Sequence, residues 1–407
     1  MVAGGEDQMK SIREIYKIGR GPSSSHTMGP VRAAELMQNR YPEADRFEVT
    51  LFGSLAKTGK GHGTDRAVIK SFRPKPCTVF FDTETQELAH ENTLELAAFK
   101  DNERIGFLRV LSVGGGDIVV EGQPQEKRLE VYSENSFEEI HRVCTEKGWT
   151  LADYIYSHEP DLNDHLREVW TVMREAARRG IGKTGILPGG LEVERRAHAL
   201  YNGVYDKEDE ATHENRLVCA YAFAVSEMNA ANGMIVTAPT CGSCGVVPAV
   251  LIYAQQKEGY SDDQIFSALA VGGLIGNLVK KNASISGAEC GCQAEIGTAC
   301  SMAAAALGEL HGMSIEQIEY AAEVALEHHL GLTCDPIAGL VQIPCIERNA
   351  VAAMRAINAV SLARFLSGSR KISFDLVVAT MYETGKHIHI GYRETSEGGL
   401  AKLYTRS

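Results

Sequence analysis

The hydrophobic rhythm of the chain changes well before its midpoint. Short apolar or alternating runs bounded by turn residues occur at Phe47-Glu-Val-Thr-Leu-Phe, Cys77-Thr-Val-Phe-Phe, Phe107-Leu-Arg-Val-Leu-Ser-Val and Asp117-Ile-Val-Val, and each predicts a strand. Between them, stretches such as 31–38 carry a helical period, so this half reads as α/β. From Leu151 onward the helical period dominates: residues 161–179, 213–231, 262–280, 315–329 and 349–366 predict long helices separated by glycine turns. The expected fold class is α+β, with an α/β domain over 1–150 followed by an all-helical domain over 151–407 and a boundary between 145 and 160. No internal repeat or low-complexity segment is present.

Composition narrows the function. With 407 residues and 44% hydrophobic content the chain can bury two or three cores. A net charge of -12, with no clustered run of Lys and Arg, argues against a nucleic-acid partner, because phosphate contacts need concentrated cations. The start, Met-Val-Ala-Gly-Gly-Glu-Asp, lacks the basic and apolar regions of a secretory signal. The apolar stretch 269–279 falls short of the roughly 18 residues a membrane helix needs. A cytoplasmic protein without a membrane partner is expected, and its ten cysteines then read as thiols or metal ligands.

Cys292, Cys334 and Cys345 each stand beside a backbone-bending Gly or Pro. Three thiolates suit an iron-sulfur cluster that leaves one iron for substrate, whereas an electron carrier wants four. Spacing alone does not carry this reading: no Cys-x-x-Cys run links the three, and a single free Cys is more often a core residue. Cys241-Gly-Ser-Cys244 has redox or half-zinc spacing, but no second pair completes a zinc site. Cys244 and Cys300 read as bystanders beside it, and Cys290, two residues from Cys292, is the nearest competitor for ligation.

Other residue groups suit an amino-acid substrate. Ser23, Ser24, Ser25, His26 and Thr27 precede an apolar-periodic stretch and place hydroxyls and free N–H groups at a helix start, as for a carboxylate, although ordinary capping uses the same residues. The run from Gly59 to Asp65 offers a flexible, close-approach backbone carrying Lys60, His62, Thr64 and Asp65, residue types that move and orient protons. It lacks phosphate-loop spacing. Either His62 or Lys60 can serve as the base, and His62 is preferred because a neutral imidazole exists near pH 7. Gly114-Gly-Gly raises the rival of a pyridoxal phosphate cradle, yet nothing marks a Schiff-base lysine, and a turn after a strand explains the run. Neighbouring His328 and His329 splay apart on a helix and cannot chelate one ion. Arg348 and Asn349, just after Cys345, are candidates for anchoring a cluster or a carboxylate.

Long words recur around these residues: Ser23-Ser-Ser-His-Thr-Met-Gly-Pro, Gly53-Ser-Leu-Ala-Lys-Thr-Gly-Lys-Gly-His-Gly-Thr-Asp, Leu187-Pro-Gly-Gly-Leu, Asn282-Ala-Ser-Ile-Ser-Gly-Ala-Glu, Gly291-Cys-Gln-Ala-Glu-Ile-Gly, Glu327-His-His-Leu-Gly-Leu-Thr-Cys-Asp-Pro, Gln342-Ile-Pro-Cys-Ile-Glu-Arg-Asn and Tyr382-Glu-Thr-Gly-Lys. Together they resemble the iron-sulfur-dependent L-serine dehydratases in the form where both halves are one chain, over nearly the whole length. The resemblance implies a first domain similar to an allosteric serine-binding fold and a helical catalytic domain. It implies deamination of L-serine to pyruvate and ammonia with a [4Fe-4S] cluster on Cys292, Cys334 and Cys345, one iron lacking a protein ligand. Ser23 to Thr27, Thr64, Asp65, Arg348 and Asn349 become substrate contacts, His62 or Lys60 the base. Some relatives end in a cysteine that reaches the open iron, but Lys402-Leu-Tyr-Thr-Arg-Ser407 has none, so oxygen sensitivity is expected. A homo-oligomer, a dimer first, is the expected assembly. The alternatives are a pyridoxal-phosphate enzyme, a related lyase for L-threonine or L-cysteine, and a serine or iron sensor.

Overall fold

A computed structural model describes residues 8–123 and 130–404; the amino-terminal stretch read for a signal and the end of the cysteine-free carboxyl segment, residues 1–7 and 405–407, lie outside them. The fold is α+β. After helix Gly29–Arg40 (α1), strands Arg46–Phe52 (β1), Cys77–Asp82 (β2), Thr93–Lys100 (β3), Glu103–Gly114 (β4) and Asp117–Val120 (β5) form one sheet in the order β2-β1-β3-β4-β5. The β1–β2 pair is parallel and the others antiparallel. A parallel pair needs a crossover, and helices Gly53–His62 (α2) and Thr64–Ser71 (α3) supply it. Ala33, Met37, Leu55, Val68 and Phe72 from these helices pack on Val49, Leu51, Leu94, Leu96 and Val110. The opposite face carries exposed Phe80 and Phe107 and the Glu95–Arg109 pair, so it remains solvated.

Two features depart from the sequence expectations. The central strand β3, Thr-Leu-Glu-Leu-Ala-Ala-Phe-Lys, is built from helix-favouring residues and was not anticipated; pairing on both edges overrides the local preference. The glycine-bearing segment before Gly63 is helical rather than flexible. Its glycines serve close packing: a Cβ on Gly61 would stand 2.6 Å from the Ala338 carbonyl oxygen. Gly114, Gly115 and Gly116, all at positive φ, turn β4 into β5.

The rest of the chain is helical: Phe137–Lys147 (α4), Leu151–His158 (α5), Leu162–Ile181 (α6), Glu210–Ala230 (α7), Val246–Glu258 (α8), Asp262–Asn282 (α9), Thr298–Leu310 (α10), Ile315–Glu327 (α11), Cys345–Leu366 (α12) and Phe374–His387 (α13). Helix α10 is buried on nearly every side, which erases the amphipathic period that would reveal it; α8 is buried over most of its length too. Ile12, Ile15 and Tyr16 join this helical core, separate from the sheet's own. They press on α9, where a Cβ on Gly273 would stand 2.3 Å from Ile12, and the Tyr16 hydroxyl donates to the Leu269 carbonyl at 2.9 Å. The glycine-rich stretch 269–279 is thus a packing seam. No helix among the described residues is long and apolar enough to cross a membrane.

Candidate active site

The chain passes from the helical core into the sheet through Ser24–Met28, a single π-helical turn leading into α1. Ser23 caps it, its hydroxyl accepting from the His26 amide at 3.0 Å. Ser24, Ser25, His26 and Thr27 are all buried there. The His26 ring is held at both nitrogens, by Ser25 Oγ at 2.9 Å from Nδ1 and by Ser54 Oγ at 3.0 Å from Nε2. Ser54 Oγ in turn donates to the Glu394 carbonyl at 2.9 Å, so it accepts from His26 Nε2–H, which leaves Nδ1 as the acceptor for Ser25.

His62 closes α2 and stacks on His26 with ring centroids 4.3 Å apart. Its Nδ1 lies 3.0 Å from the Thr58 carbonyl, which only a donor can satisfy. The lone pair therefore sits on Nε2. That nitrogen is buried, has no hydrogen-bond partner, and lies 3.8 Å from Glu394 Oε1. Burial, opposed by the Thr58 carbonyl, holds the His62 pKa down at about 4, and burial with the neighbouring His62 holds His26 well below the ordinary imidazole value. Both rings are neutral at pH 7. Thr27 Oγ1 donates to the His62 carbonyl at 3.3 Å and Thr64 Oγ1 to the His26 carbonyl at 2.6 Å, tying the two backbones together.

The three thiols meet beside this pair. Cys292 precedes the turn that starts α10, Cys334 follows the loop after α11, and Cys345 is the first residue of α12. A helix start favours thiolate through its exposed N–H groups. The Cys292 and Cys334 sulfurs and a Glu295 carboxylate oxygen lie within 4.8 Å of one another, as do one ligand atom each from His26, His62 and Glu394. The hydrogen bond from Cys334 pulls Cys292 below the ordinary thiol range, with help from Arg348; the same pairing pushes Cys334 up, and burial pushes Cys345 up. Burial would lower Arg348, but the charges of Cys292 and Cys345 outweigh it. Its guanidinium also donates to the Thr333 carbonyl at 2.6 Å, so one cation links two of the thiol-bearing segments.

This donor set fits an iron-sulfur cluster. Three buried thiols converge with one compensating cation, and Gly287 leaves room beside them, since a Cβ there would stand 3.1 Å from Cys334 Sγ and 2.8 Å from Glu295. The other cysteines lie elsewhere. Cys290 packs on Gly385 of α13, Cys300 donates to the Ala352 carbonyl, and Cys241 rests on Met28.

Not every expected residue reaches the site. Lys60 is exposed with its ammonium 5.3 Å from the Phe81 ring, and Asp65, in the first turn of α3, accepts from the Arg66 amide. Asn349 is fully buried and bonded to the backbone of Gly242, Gly245 and Cys345, a brace under the cysteines. His329 is buried and His328 exposed.

Sequence reasoning missed Glu295, Glu394 and Ser54. Glu295 follows Cys292 by one helical turn within a quoted word, which was an available signal. Glu394 had none. Its amide donates to the Cys334 carbonyl at 2.8 Å while the Cys334 amide donates to the Tyr392 carbonyl at 2.7 Å, and Glu394 itself is held at φ 59. A non-glycine residue in that region persists only where surrounding structure enforces it, often at functional sites.

Comparison with known proteins covers both halves of the chain. Residues 11–76 match the family model "Serine dehydratase beta chain" and residues 78–401 the model "Serine dehydratase alpha chain". The chain is 41% identical to L-serine dehydratase 2 of Escherichia coli over 97% of its own length and 98% of the relative's. It is 39% identical to L-serine dehydratase of Haemophilus influenzae over 97% and 99%, and 40% identical to that of Streptomyces coelicolor over 96% and 98%. With both halves matched in order and relatives of about 40% identity covered nearly end to end, the chain belongs to the serine dehydratase family.

Proposed function

We propose that this protein deaminates L-serine to pyruvate and ammonia, using a [4Fe-4S] cluster held by Cys292, Cys334 and Cys345. The observation that supports this most is a buried, unpartnered imidazole nitrogen, His62 Nε2, 3.8 Å from Glu394, whose carboxyl in turn lies close enough to Cys292, Cys334 and Cys345 to feel their charge. When bound, the cluster supplies a Lewis acid that makes the substrate hydroxyl a better leaving group. His62 Nε2 takes the α-proton, because Thr58 keeps the other ring nitrogen protonated. Glu394, 3.8 Å away, is held well above the ordinary carboxylate range by burial and by Glu295, so its carboxyl is placed to exchange a proton with His62 rather than to stand as a fixed anion. The hydroxyl-rich turn Ser23–Thr27 supplies donors for the substrate carboxylate, and Arg348 fixes the cysteine segments. Loss of water gives aminoacrylate, whose imine tautomer takes up one water to yield pyruvate and ammonia.

The test is anaerobic purification with iron and sulfide analysis and a pyruvate assay. Roughly four irons and four sulfides per chain, with pyruvate formed from L-serine, are expected. Air should inactivate the protein, and iron with reductant should restore it. Turnover by iron-free protein would refute the cofactor, and serine binding without pyruvate would identify a sensor.

Glu394→Gln isolates the carboxylate. It should lower kcat on the order of 10²-fold with KM and iron content nearly unchanged, and Glu394→Asp should recover part of the loss. A Gln variant with normal kcat removes Glu394 from the mechanism.

A further inference from the structure

We propose that the cavity between α1, α3 and the strand Ile18–Arg20 is a binding site for a small polyanion, a phosphate ester or a polycarboxylate. The cavity encloses about 710 Å³, within the usual range for small-molecule sites. Lys17, Arg20, Arg32, Arg66 and Lys70 line it against a single acid, Glu35. Such a concentration of cations is unexpected in a chain of net charge -12.

Local pairing does not cancel it. One buried carboxylate, Asp117, stands behind the wall and is shared by three cations: Lys17 at 2.5 Å, Lys280 at 2.7 Å and Arg32 at 3.4 Å. Lys17 also reaches Glu14 at 3.1 Å. Burial holds Lys17 below the ordinary lysine range even though Asp117 and Glu14 favour its charged form. Arg20 gives its guanidinium to a backbone carbonyl, that of Asn232, and neither Arg66 nor Lys70 forms an ion pair among the described residues. Like charges gathered at a partly enclosed wall repel one another, and an anion of charge two or more relieves that repulsion. Three arginine forks and two lysines suit the several oxygens of a phosphoryl group or of clustered carboxylates, more than the single carboxylate of serine.

The site has none of the three thiols, His26, His62 or Glu394 in its lining, and shares only Thr27 with the hydroxyl-rich turn. Its test therefore reads binding, which fails or succeeds independently of the dehydratase reading. Full-length protein, purified anaerobically, is titrated calorimetrically with inorganic phosphate and separately with citrate, with sodium chloride at matched ionic strength as control. Saturable binding of either probe is expected, and the two arms separate phosphoryl from carboxylate preference. Arg66→Gln combined with Lys70→Gln should weaken binding at least about tenfold. Absence of saturable binding by both probes, or an unchanged dissociation constant in the double variant, overturns the proposal. Should that variant fail to fold, the wild type decides. Phosphate or citrate should slow acetylation of Lys70 relative to exposed Lys207, read by mass spectrometry, and equal rates overturn the proposal.

Discussion

Cys334→Ala is expected to lose bound iron and serine turnover together, and Cys292→Ala and Cys345→Ala to do the same. The loss should exceed the about 10- to 100-fold that removal of an outer-shell partner costs, because a ligand itself is gone. Cys334 is the most informative of the three, since its sulfur pairs with Cys292 and its backbone holds Glu394. Cys241→Ala and Cys290→Ala serve as controls: Cys241 touches Met28 and Cys290 packs on Gly385, so both should keep iron and activity. Iron and sulfide analysis beside the pyruvate rate reads all five variants. Full iron content with normal turnover in Cys334→Ala would end the ligand assignment.

His62→Ala should keep the cluster and bind serine but lose kcat by about 10²- to 10⁴-fold, as removal of a general base does. Because His62 is buried and stacked on His26, His62→Gln is the companion variant that limits the cavity. The pH profile adds an independent check. With its pKa held down at about 4, His62 stays neutral as pH falls through 6.5, and only below about 4 does protonation remove the base. The acid limb of kcat/KM set by His62 therefore belongs near pH 4, and a limb at the ordinary imidazole value traced to His62 would contradict its enclosure. Normal turnover in His62→Ala together with an inactive, iron-replete Lys60→Ala would transfer the role to Lys60, which lies exposed outside the enclosure.

What could be read from sequence follows from how far each signal is local. Cysteines 292, 334 and 345 stand in distinctive words, and the amphipathic helices α6 and α11 announce themselves by period. Helix α10 did not, because burial on nearly every side leaves no polar face to alternate with. The glycines flanking His62 suggested a flexible backbone, whereas the segment is helical and Gly61 lets it pack closely against the Ala338 carbonyl. Glu394 was invisible for a deeper reason. Its position depends on a backbone pairing between segments about sixty residues apart and on a conformation its side chain does not favour. Sequence position encodes neither.

That pairing makes the region around Glu394 a clasp fastened to a ligand-bearing loop. Cys334 gives both its amide and its carbonyl to the segment that carries Tyr392 and Glu394, and Asp335 beside it accepts the Leu400 amide. Whatever loosens the sulfur from its metal loosens the same peptide groups that hold the carboxylate against the histidines. Loss of cofactor would then dismantle the proton-handling side of the site along with its Lewis acid. Under the proposed cluster ligation one fastening serves both halves of the site, and oxidative loss of the cluster is expected to release Glu394 as well.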